Sequence, residues 1–136
     1  RLIEWAKPGG VIAIADLDCS RAGPADPSAP GADVFAEQLD IVRAAMARTG
    51  LMDPSFGARL PSMMKAAGLE AVSVEHFDRV VEGGSEWSLF QSENNRMISG
   101  ALGEPKAASL VSEWMERPGF FYHDQRLVMA AGRTPA

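Results

Sequence analysis

The chain has 136 residues, the size of one ordinary domain, and its 46% hydrophobic and 23% charged residues are typical of a globular protein. Its 18 acidic and 13 basic residues give a net charge of −5, and because it has no dense cluster of lysine and arginine, we expect no nucleic-acid partner. The single cysteine, Cys19, excludes an internal disulfide. No apolar run approaches the ~20 residues of a membrane span, so we predict a cytoplasmic protein without a membrane partner.

The first segment combines the end of a helix with a buried strand. Arg1 to Lys7 is predicted to form the last turns of a helix, which the Pro-Gly-Gly run at residues 8–10 ends. The apolar run from Val11 to Ala15 has the length of a strand and is typical of one buried on both faces, as in a parallel sheet. The chain starts without a methionine or a signal peptide, so we expect it to be a piece of a longer protein.

A long loop and a clear helix follow. Residues 17–31 contain three prolines and two glycines among polar residues, which predicts a loop that is functional or mobile. Asp33 to Thr49 is predicted to be a helix, because apolar residues recur at spacings of four, three and four. These residues form one stripe that we expect to face the core: Phe35, Leu39, Val42 and Met46.

The rest of the chain alternates helices and strands. A helix over Asp53–Ala67 is expected to begin near Gly57 or Ala58, since Pro61 belongs in a first turn. The other predicted elements are a strand over Glu70–Val81, a helix over Ser85–Ser99 with Ser85 as its N-cap, a helix from Pro105 to about Arg117, and a strand over Phe120–Ala131. This order indicates an α/β fold with three strands and four to five helices.

Three of these segments resemble class I S-adenosylmethionine-dependent methyltransferases. Residues 7–16 are similar to the family's fifth strand, where a helix ends in a Pro-Gly-Gly turn and an acidic residue closes the strand. Residues 60–69 resemble the helix before the sixth strand, and residues 127–133 resemble the seventh strand, which is antiparallel. The resemblance implies that residues 1–136 are the C-terminal half of a Rossmann-like methyltransferase domain. Residues 85–117 would then be a helical insertion that covers the substrate site.

The resemblance also implies S-adenosylmethionine as the cofactor of the complete enzyme, with its main site outside this chain. In the family, a glycine-rich turn after the first strand approaches the methionine moiety, and an acidic residue after the second strand holds the ribose hydroxyls. The glycine pairs of this chain, at residues 9–10 and 83–84, stand in other contexts, so no cofactor-binding residue is predicted. We expect the chain to pair with a missing N-terminal half or to form a homo-oligomer.

Asp16 and Asp18 are the first candidate substrate-binding residues. They follow the first predicted strand, at the end where ligands of open α/β sheets gather. The alternative is that they cap amides of the following loop. Family members that act on catechols bind a metal partly through an Asp-Asn pair at this point, but here Leu17 follows Asp16, so no metal site is predicted.

The next-to-last predicted helix supplies three more candidates. Spacings of three, four and three residues place four side chains on one stripe that we expect to face inward: Trp87, Phe90, Asn94 and Met97. A buried amide without partners costs about 1–3 kcal/mol, so Asn94 either is satisfied in the core or orients a substrate in an aromatic-walled pocket. Trp87, Phe90 and Asn94 are therefore predicted to bind substrate, and Asn95 is expected to be solvated.

No catalytic residue is predicted. His76 and His123 are the only histidines, and each is either a general base or a structural residue of a strand. Cys19 has no base beside it in the predicted loop, so it is not expected to be a nucleophile.

Two functions follow from these patterns. The first is methyl transfer from S-adenosylmethionine to a small-molecule acceptor, a displacement that depends on alignment and desolvation more than on covalent catalysis. The alternative is a non-catalytic interaction module. Such a module would oligomerise through the edge of the first strand, since the chain supplies that strand with only one neighbour.

Overall fold

The structure is a computed structural model that describes residues 2–136. Its helices are α1 (Leu2–Trp5), α2 (Ala32–Thr49), α3 (Phe56–Ala66), α4 (Glu86–Leu102) and α5 (Pro105–Met115). Its strands are β1 (Val11–Asp18), β2 (Gly23–Pro24), β3 (Glu70–Phe77), β4 (Val80–Glu82), β5 (Phe121–His123) and β6 (Arg126–Arg133). The predicted α/β class and number of helices are confirmed over this range, while Arg1, predicted to be helical, lies outside the described residues.

The described chain divides into two compact units, each with its own three-stranded sheet. The first unit contains residues 2–18, Ser55–Phe77 and Arg126–Ala136, and the second contains Cys19–Pro54 and Asp78–Gln125. The sheet of the first unit has the order β1-β6-β3, and that of the second has the order β2-β5-β4. The prediction of three strands in all was therefore too low.

Strand β6 organises the first unit, because it pairs antiparallel with β1 on one side and with β3 on the other. β1 and β3 therefore run in the same direction without touching each other. The last strand is antiparallel, as predicted. Every strand pair among residues 2–136 is antiparallel, so the parallel Rossmann-like sheet that the resemblance implied is not formed there.

Strand β1 is longer than predicted. It continues past Ala15 to Asp18, because its pairing with β6 continues as far as the register partners Asp18 and Arg126. Burial on both faces was also a wrong expectation. One face carries Ile12, which packs against Leu60 and other apolar residues of α3. The opposite face, which carries Val11, Ala13 and Ala15, is exposed. The exposed fraction of Val11 is 60%. Within residues 2–136, the second edge of β1 pairs with no strand.

The Pro-Gly-Gly turn before β1 requires both of its glycines. Gly9 has a φ of +71°, in the left-handed region that favours glycine. A Cβ on Gly10 would lie 2.7 Å from the carbonyl oxygen of Lys7. The turn is held to the end of β6, since the hydroxyl of Thr134 donates to the Lys7 carbonyl at 2.7 Å and the Gly9 amide donates to the Pro135 carbonyl at 3.1 Å.

Two predicted strands are each divided in the structure. Glu70–Val81 is β3 followed by β4, and Phe120–Ala131 is β5 followed by β6. The breaks fall at Asp78-Arg79 and at Asp124-Gln125, where the Asp124 amide donates to the Arg79 carbonyl at 3.0 Å. Polar residues interrupt both apolar patterns at these points, and each half joins a different sheet.

The loop predicted at residues 17–31 is partly ordered. Its first two residues complete β1, Cys19–Arg21 form a short 3-10 helix, and Gly23–Pro24 form β2, which pairs with β5. Local composition favoured a loop, but backbone pairing with a distant strand outweighed it.

Helices α2, α4 and α5 enclose the core of the second unit. The predicted stripe of α2 is confirmed, because Phe35, Leu39, Val42 and Met46 are all buried. Val111 of α5 and Tyr122 of β5 complete the same core.

Candidate functional site

A cavity of about 90 Å³ lies within the second unit, among α2, α4, α5 and β5. Its apolar wall includes Phe35, Leu39, Val42, Met46, Val111 and Met115. Its polar side is formed by Gln91, Asn94, Asn95, His123, Asp124 and Gln125, and the buried Tyr122 also lines it. We call this space the helical cavity.

The apolar wall comes mainly from the stripe of α2, which the periodicity of the sequence predicted. The ring of Phe35 lies 5.7 Å from that of Tyr122, centroid to centroid, and the two rings are tilted by 52°. Met46 and Met115 add polarizable thioether sulfur atoms to the same wall. Phe35 and Tyr122 are 0% and 1% exposed, so these rings pack on each other and form the closed back of the wall.

The aromatic stripe that was predicted to turn α4 toward the core is exposed instead. Trp87, Phe90 and Met97 are exposed to 40%, 55% and 72%. The helix begins as predicted, because the Ser85 hydroxyl accepts from the Ser88 amide at 3.3 Å. The residues that it buries are small or polar: Ser88, Ser92, Asn95 and Leu102. The expectation of an inward aromatic stripe was therefore wrong.

Hydrogen bonds explain why the polar face of α4 is buried. The amide nitrogen of Asn95 donates to the Ala108 carbonyl at 2.6 Å and to the Ser112 hydroxyl at 3.0 Å, both on α5. The Ser92 hydroxyl donates to a carboxylate oxygen of Glu116 at 2.5 Å. The expectation that Asn95 is solvated was therefore wrong. Asn95 is a buried asparagine with its hydrogen bonds satisfied, the role that had been considered for Asn94.

Asn94 lies on the polar side of the helical cavity and is half-buried. Its side chain forms no hydrogen bond within residues 2–136. The same is true of Gln91, His123 and Gln125, which line the cavity beside it. Four side chains that can donate and accept hydrogen bonds therefore face this space with their bonding capacity unused.

The other two candidates on α4 do not line the cavity. The indole nitrogen of Trp87 donates to a carboxylate oxygen of Asp124 at 2.6 Å, so Trp87 supports the cavity wall from outside. The guanidinium of Arg79 lies over the Trp87 ring, 4.7 Å from its centre. The ring of Phe90 lies 5.5 Å from that of Trp87 and is exposed.

The charged groups at the cavity are occupied by protein partners. One nitrogen of Arg43 donates to the carbonyls of Cys19 at 2.9 Å and Ala22 at 2.8 Å, and the other pairs with Asp40. Asp124 accepts from Trp87 and also from the Gln125 amide at 2.8 Å. The lining is therefore polar without offering an unpaired charge.

Tyr122 is a buried hydrogen-bonding residue in the cavity wall. Its hydroxyl oxygen lies 2.9 Å from the hydroxyl of Ser88, which donates to the Met115 carbonyl. Burial raises the pKa of the Tyr122 phenol above its ordinary value of 10.0; the hydrogen bond to Ser88 opposes this effect, and the nearby Asp124 carboxylate adds to it. The phenol therefore stays neutral over the physiological range.

Asp16 and Asp18 belong to the first unit and lie on the same face of β1. The Asp16 carboxylate accepts from the backbone amide of Leu17, its neighbour within β1, at 2.7 Å. Asp18 is 3% exposed and has a partner within the structure. Asp16 was expected to end the strand, but Asp18 does so.

The remaining reactive side chains have distinct positions. His76 is exposed on β3, whereas His123 lies on β5 at the edge of the helical cavity. Cys19 is buried in the 3-10 helix, not in a mobile loop as expected. Within residues 2–136, no group of three or more histidine, cysteine, aspartate or glutamate side chains is arranged to hold a metal ion. No helix in that range has the length and apolar character needed to cross a membrane.

Sequence reasoning missed several cavity residues. Gln91 precedes Asn94 by three positions on α4 and so shares its face, a signal that was present in the spacing. Tyr122, Asp124 and Gln125 fall in the stretch predicted as one continuous strand, so nothing indicated a turn that brings them to a cavity.

Comparison of the chain with protein-family models gives no match, and comparison with curated protein sequences gives none either.

The contrast between Asn94 and Asn95 predicts a large effect of alanine substitution at one position and almost none at the other. Asn95→Ala removes two buried hydrogen bonds to α5 and should lower the free energy of unfolding by about 1–3 kcal/mol. Asn94→Ala removes no hydrogen bond and should change it by less than about 0.5 kcal/mol. Urea denaturation of the two variants beside the parent chain measures both values, and equal losses would contradict these assignments.

The chain has a single tyrosine, so its ionisation can be followed by ultraviolet absorbance. The midpoint for Tyr122 should lie above 10.0 in the folded chain and return toward that value in denaturant. Because the raised pKa favours the protonated phenol in the folded state, this contribution to stability is complete below pH 10 and is lost as the pH rises through the folded pKa. A folded midpoint at or below that of the denatured chain would contradict the burial of the phenol.

Proposed function

We propose that this chain is the C-terminal, substrate-side half of a class I S-adenosylmethionine-dependent methyltransferase, and that the complete enzyme methylates a small-molecule acceptor. One observation carries the proposal. The strand that resembles the family's seventh, β6, pairs antiparallel with both β1 and β3, which under this proposal would be the fifth and sixth. Two of the resembling segments thus pair in one sheet, and most of the third lies in α3, the helix that precedes the remaining strand β3.

The two glycine pairs of the chain do not provide a cradle for the cofactor. The amides of Gly9 and Gly10 donate to the carbonyls of Pro135 and Lys7. The amides of Gly83 and Gly84 donate to the carbonyls of Phe120 and Met115. The backbone N–H groups that could bind an anionic ligand are therefore already hydrogen-bonded to carbonyls in both glycine pairs. For this reason, no step involving the cofactor is assigned to this chain.

The contribution proposed for this chain is to hold the acceptor. The helical cavity removes apolar surface from water, and its uncommitted amides can orient a polar group. Helices α4 and α5 form part of the cavity wall. They also span most of residues 85–117, the segment that the resemblance implies as a cover of the substrate site. Alignment and exclusion of water are what a methyl-transfer acceptor needs from its site.

A second function, self-association without catalysis, is favoured by the surface of β1. The outer edge of this strand pairs with no other strand among residues 2–136. Val11, Ala13 and Ala15 are exposed on one of its faces. An open edge beside an apolar face attracts a further strand, either from a second copy or from a missing half of the same enzyme.

The enzyme proposal predicts where S-adenosylmethionine binds. Isothermal titration calorimetry should detect no binding to the 136-residue chain, because it lacks a glycine-rich turn after a first strand and the acidic residue that holds the ribose. The chain extended by the coding sequence directly upstream of Arg1 should bind with micromolar affinity. That upstream sequence is expected to encode a strand followed by a Gly-x-Gly turn.

Micromolar binding by the shorter chain would contradict this prediction, and so would a folded longer chain that does not bind the cofactor. A natural start codon immediately before Arg1 would overturn the enzyme proposal and leave self-association as the function.

The open edge predicts an oligomer of the 136-residue chain. Analytical ultracentrifugation at micromolar concentration should find a dimer or larger species, since pairing would bury the edge and the apolar face of β1. Ala13→Lys places a charge on that face and should shift the population toward monomer.

The matched control is Ala66→Lys, which adds the same charge on the exposed side of α3 in the same unit. This variant should sediment like the parent. A parent chain that is a compact monomer, with fast amide exchange along β1, would show that the edge is tolerated in water.

A further inference from the structure

Helix α4 presents a largely apolar face to solvent, on the side away from α5. Five of its side chains recur at spacings of three, four, three and four residues: Trp87, Phe90, Asn94, Met97 and Ala101. Asn94 is half-buried and the other four are exposed. The buried Ser88, Ser92 and Asn95 lie on the opposite side of the helix. We call the exposed row of five residues the outer stripe.

The spacing of the outer stripe is that of a helix that packs along a second helix. Alternating steps of three and four residues average 3.5, the heptad period of a coiled coil, in which the first and fourth positions face the partner. A straight helix drifts by only ~20° per heptad from this period, so two heptads of α4 keep the stripe on one side. The pattern therefore favours a helix as the partner over a sheet or a flat surface.

Helix α4 is already formed and held within its own unit. The Ser85 hydroxyl caps its first turn, and Asn95 donates twice to α5. At the start of the stripe, the indole nitrogen of Trp87 donates to Asp124 at 2.6 Å and the guanidinium of Arg79 lies over the ring. Association therefore does not have to nucleate a helix or order its first aromatic side chain, two costs that oppose the binding of a short helix.

The charges beside the stripe select the direction of the partner helix. Glu86 and Glu93 are exposed on one flank, directly before the first and third residues of the stripe. Gln91 and Ile98, which carry no charge, lie on the other flank. In an antiparallel pair of α4 helices, the two glutamate flanks would face each other and repel. In a parallel pair, each glutamate flank faces the uncharged flank of the partner.

Asn94 selects the identity of the partner. In a parallel pair in register, each residue of the stripe faces its own copy, so the side chain of Asn94 meets that of Asn94 of the partner subunit. An amide both donates and accepts, so the two side chains can bond to each other. Against an unrelated apolar helix, the amide would lose its hydration without gaining a partner. A single asparagine at such a position also fixes register and oligomeric state in coiled coils.

We propose that the outer stripe is the interface of a parallel, two-fold symmetric dimer, in which α4 packs against α4 of a second copy and Asn94 pairs with its own copy. This dimer rests neither on methyl transfer nor on the open edge of β1. It uses the amide of Asn94, and leaves those of Gln91 and Gln125 to a ligand of the helical cavity.

The size of the interface sets the strength of this dimer. From their exposed fractions, Trp87, Phe90 and Met97 together offer roughly 300 Å² per copy, against ~800 Å² per partner in a stable complex. The dimer is therefore weak, and its population depends on concentration.

The test is analytical ultracentrifugation of the 136-residue chain carrying Ala13→Lys, which blocks the apolar face of β1. Between about 10 µM and about 1 mM this chain should pass from monomer to dimer, the range expected for an interface of this size. Adding Met97→Lys places two like charges against each other in the interface and should weaken dimerisation about tenfold or more.

The matched control is Leu89→Lys in the same chain. It replaces another exposed apolar residue of α4 by lysine, at a position outside the outer stripe. This variant should dimerise as the chain without it does.

Cysteine crosslinking tests the direction of the helices. In a parallel pair in register, residue 97 faces its own copy, so Met97→Cys should form a disulfide-linked dimer under mild oxidation. In an antiparallel pair centred on Asn94, the two cysteines would lie roughly 9 Å apart along the helix axis, too far to link. Lys106→Cys, at an exposed position of α5, is the control and should link at least tenfold more slowly. Cys19 is buried, so the parent chain should form no linked dimer.

Asn94→Leu tests the role of the asparagine. A polar residue at this position restricts register and oligomeric state and lowers stability. Its replacement by leucine should therefore tighten self-association about tenfold and allow species larger than the dimer. Unchanged or weaker association would contradict the pairing of Asn94 with its own copy.

A chain that remains monomeric at about 1 mM, or a dimer that Met97→Lys leaves unchanged, would overturn the proposal. So would a Met97→Cys chain that links no faster than Lys106→Cys. Circular dichroism establishes that each variant is folded. None of these measurements involves S-adenosylmethionine, so their failure leaves methyl transfer open to the calorimetric test.

Discussion

The contact between α4 and α5 determines which side chains reach the helical cavity. Asn95 donates twice to α5, and Ser92 reaches the carboxylate of Glu116. Buried polar groups cost free energy unless each finds a partner, so these bonds fix the rotation of α4 about its axis. That rotation turns Asn94 toward the cavity and leaves Phe90 in solvent. Burying the aromatic stripe instead would have brought more apolar area out of water but left α5 without its hydrogen-bond partners.

The sequence predicted α2 and its stripe well because apolar periodicity and packing agree there. It failed for α4 because two faces of that helix compete. The apolar face carries Trp87 and Phe90, and a rule based on hydrophobicity selects it. The buried face of serines and Asn95 is stabilised by acceptors that belong to α5, and a single-helix pattern contains no information about them. Asn94 was therefore identified as a candidate for a reason that does not hold in the structure, although it does line the cavity.

The strands, too, were predicted in part from local sequence and in part depend on distant contacts. Val11 to Ala15 was identified from its composition, but its continuation to Asp18 depends on β6, more than one hundred residues away in the chain. The division of two predicted strands likewise depends on which sheet each half joins. Short-range patterns thus predicted where strands exist, while their ends and partners required contacts across the chain.

The two units differ in how completely their own residues bury the side chains and pair the strand edges. In the second, the rings of Phe35 and Tyr122 and the buried Ser88, Ser92 and Asn95 of α4 are enclosed by elements of the same unit. In the first, β1 keeps an open edge and an exposed apolar face. The helical cavity is formed by the second unit alone and therefore does not need a partner for β1 in order to exist. Under the proposed function, holding an acceptor and pairing with the cofactor-binding half would therefore be separable, because they would depend on different units of the chain.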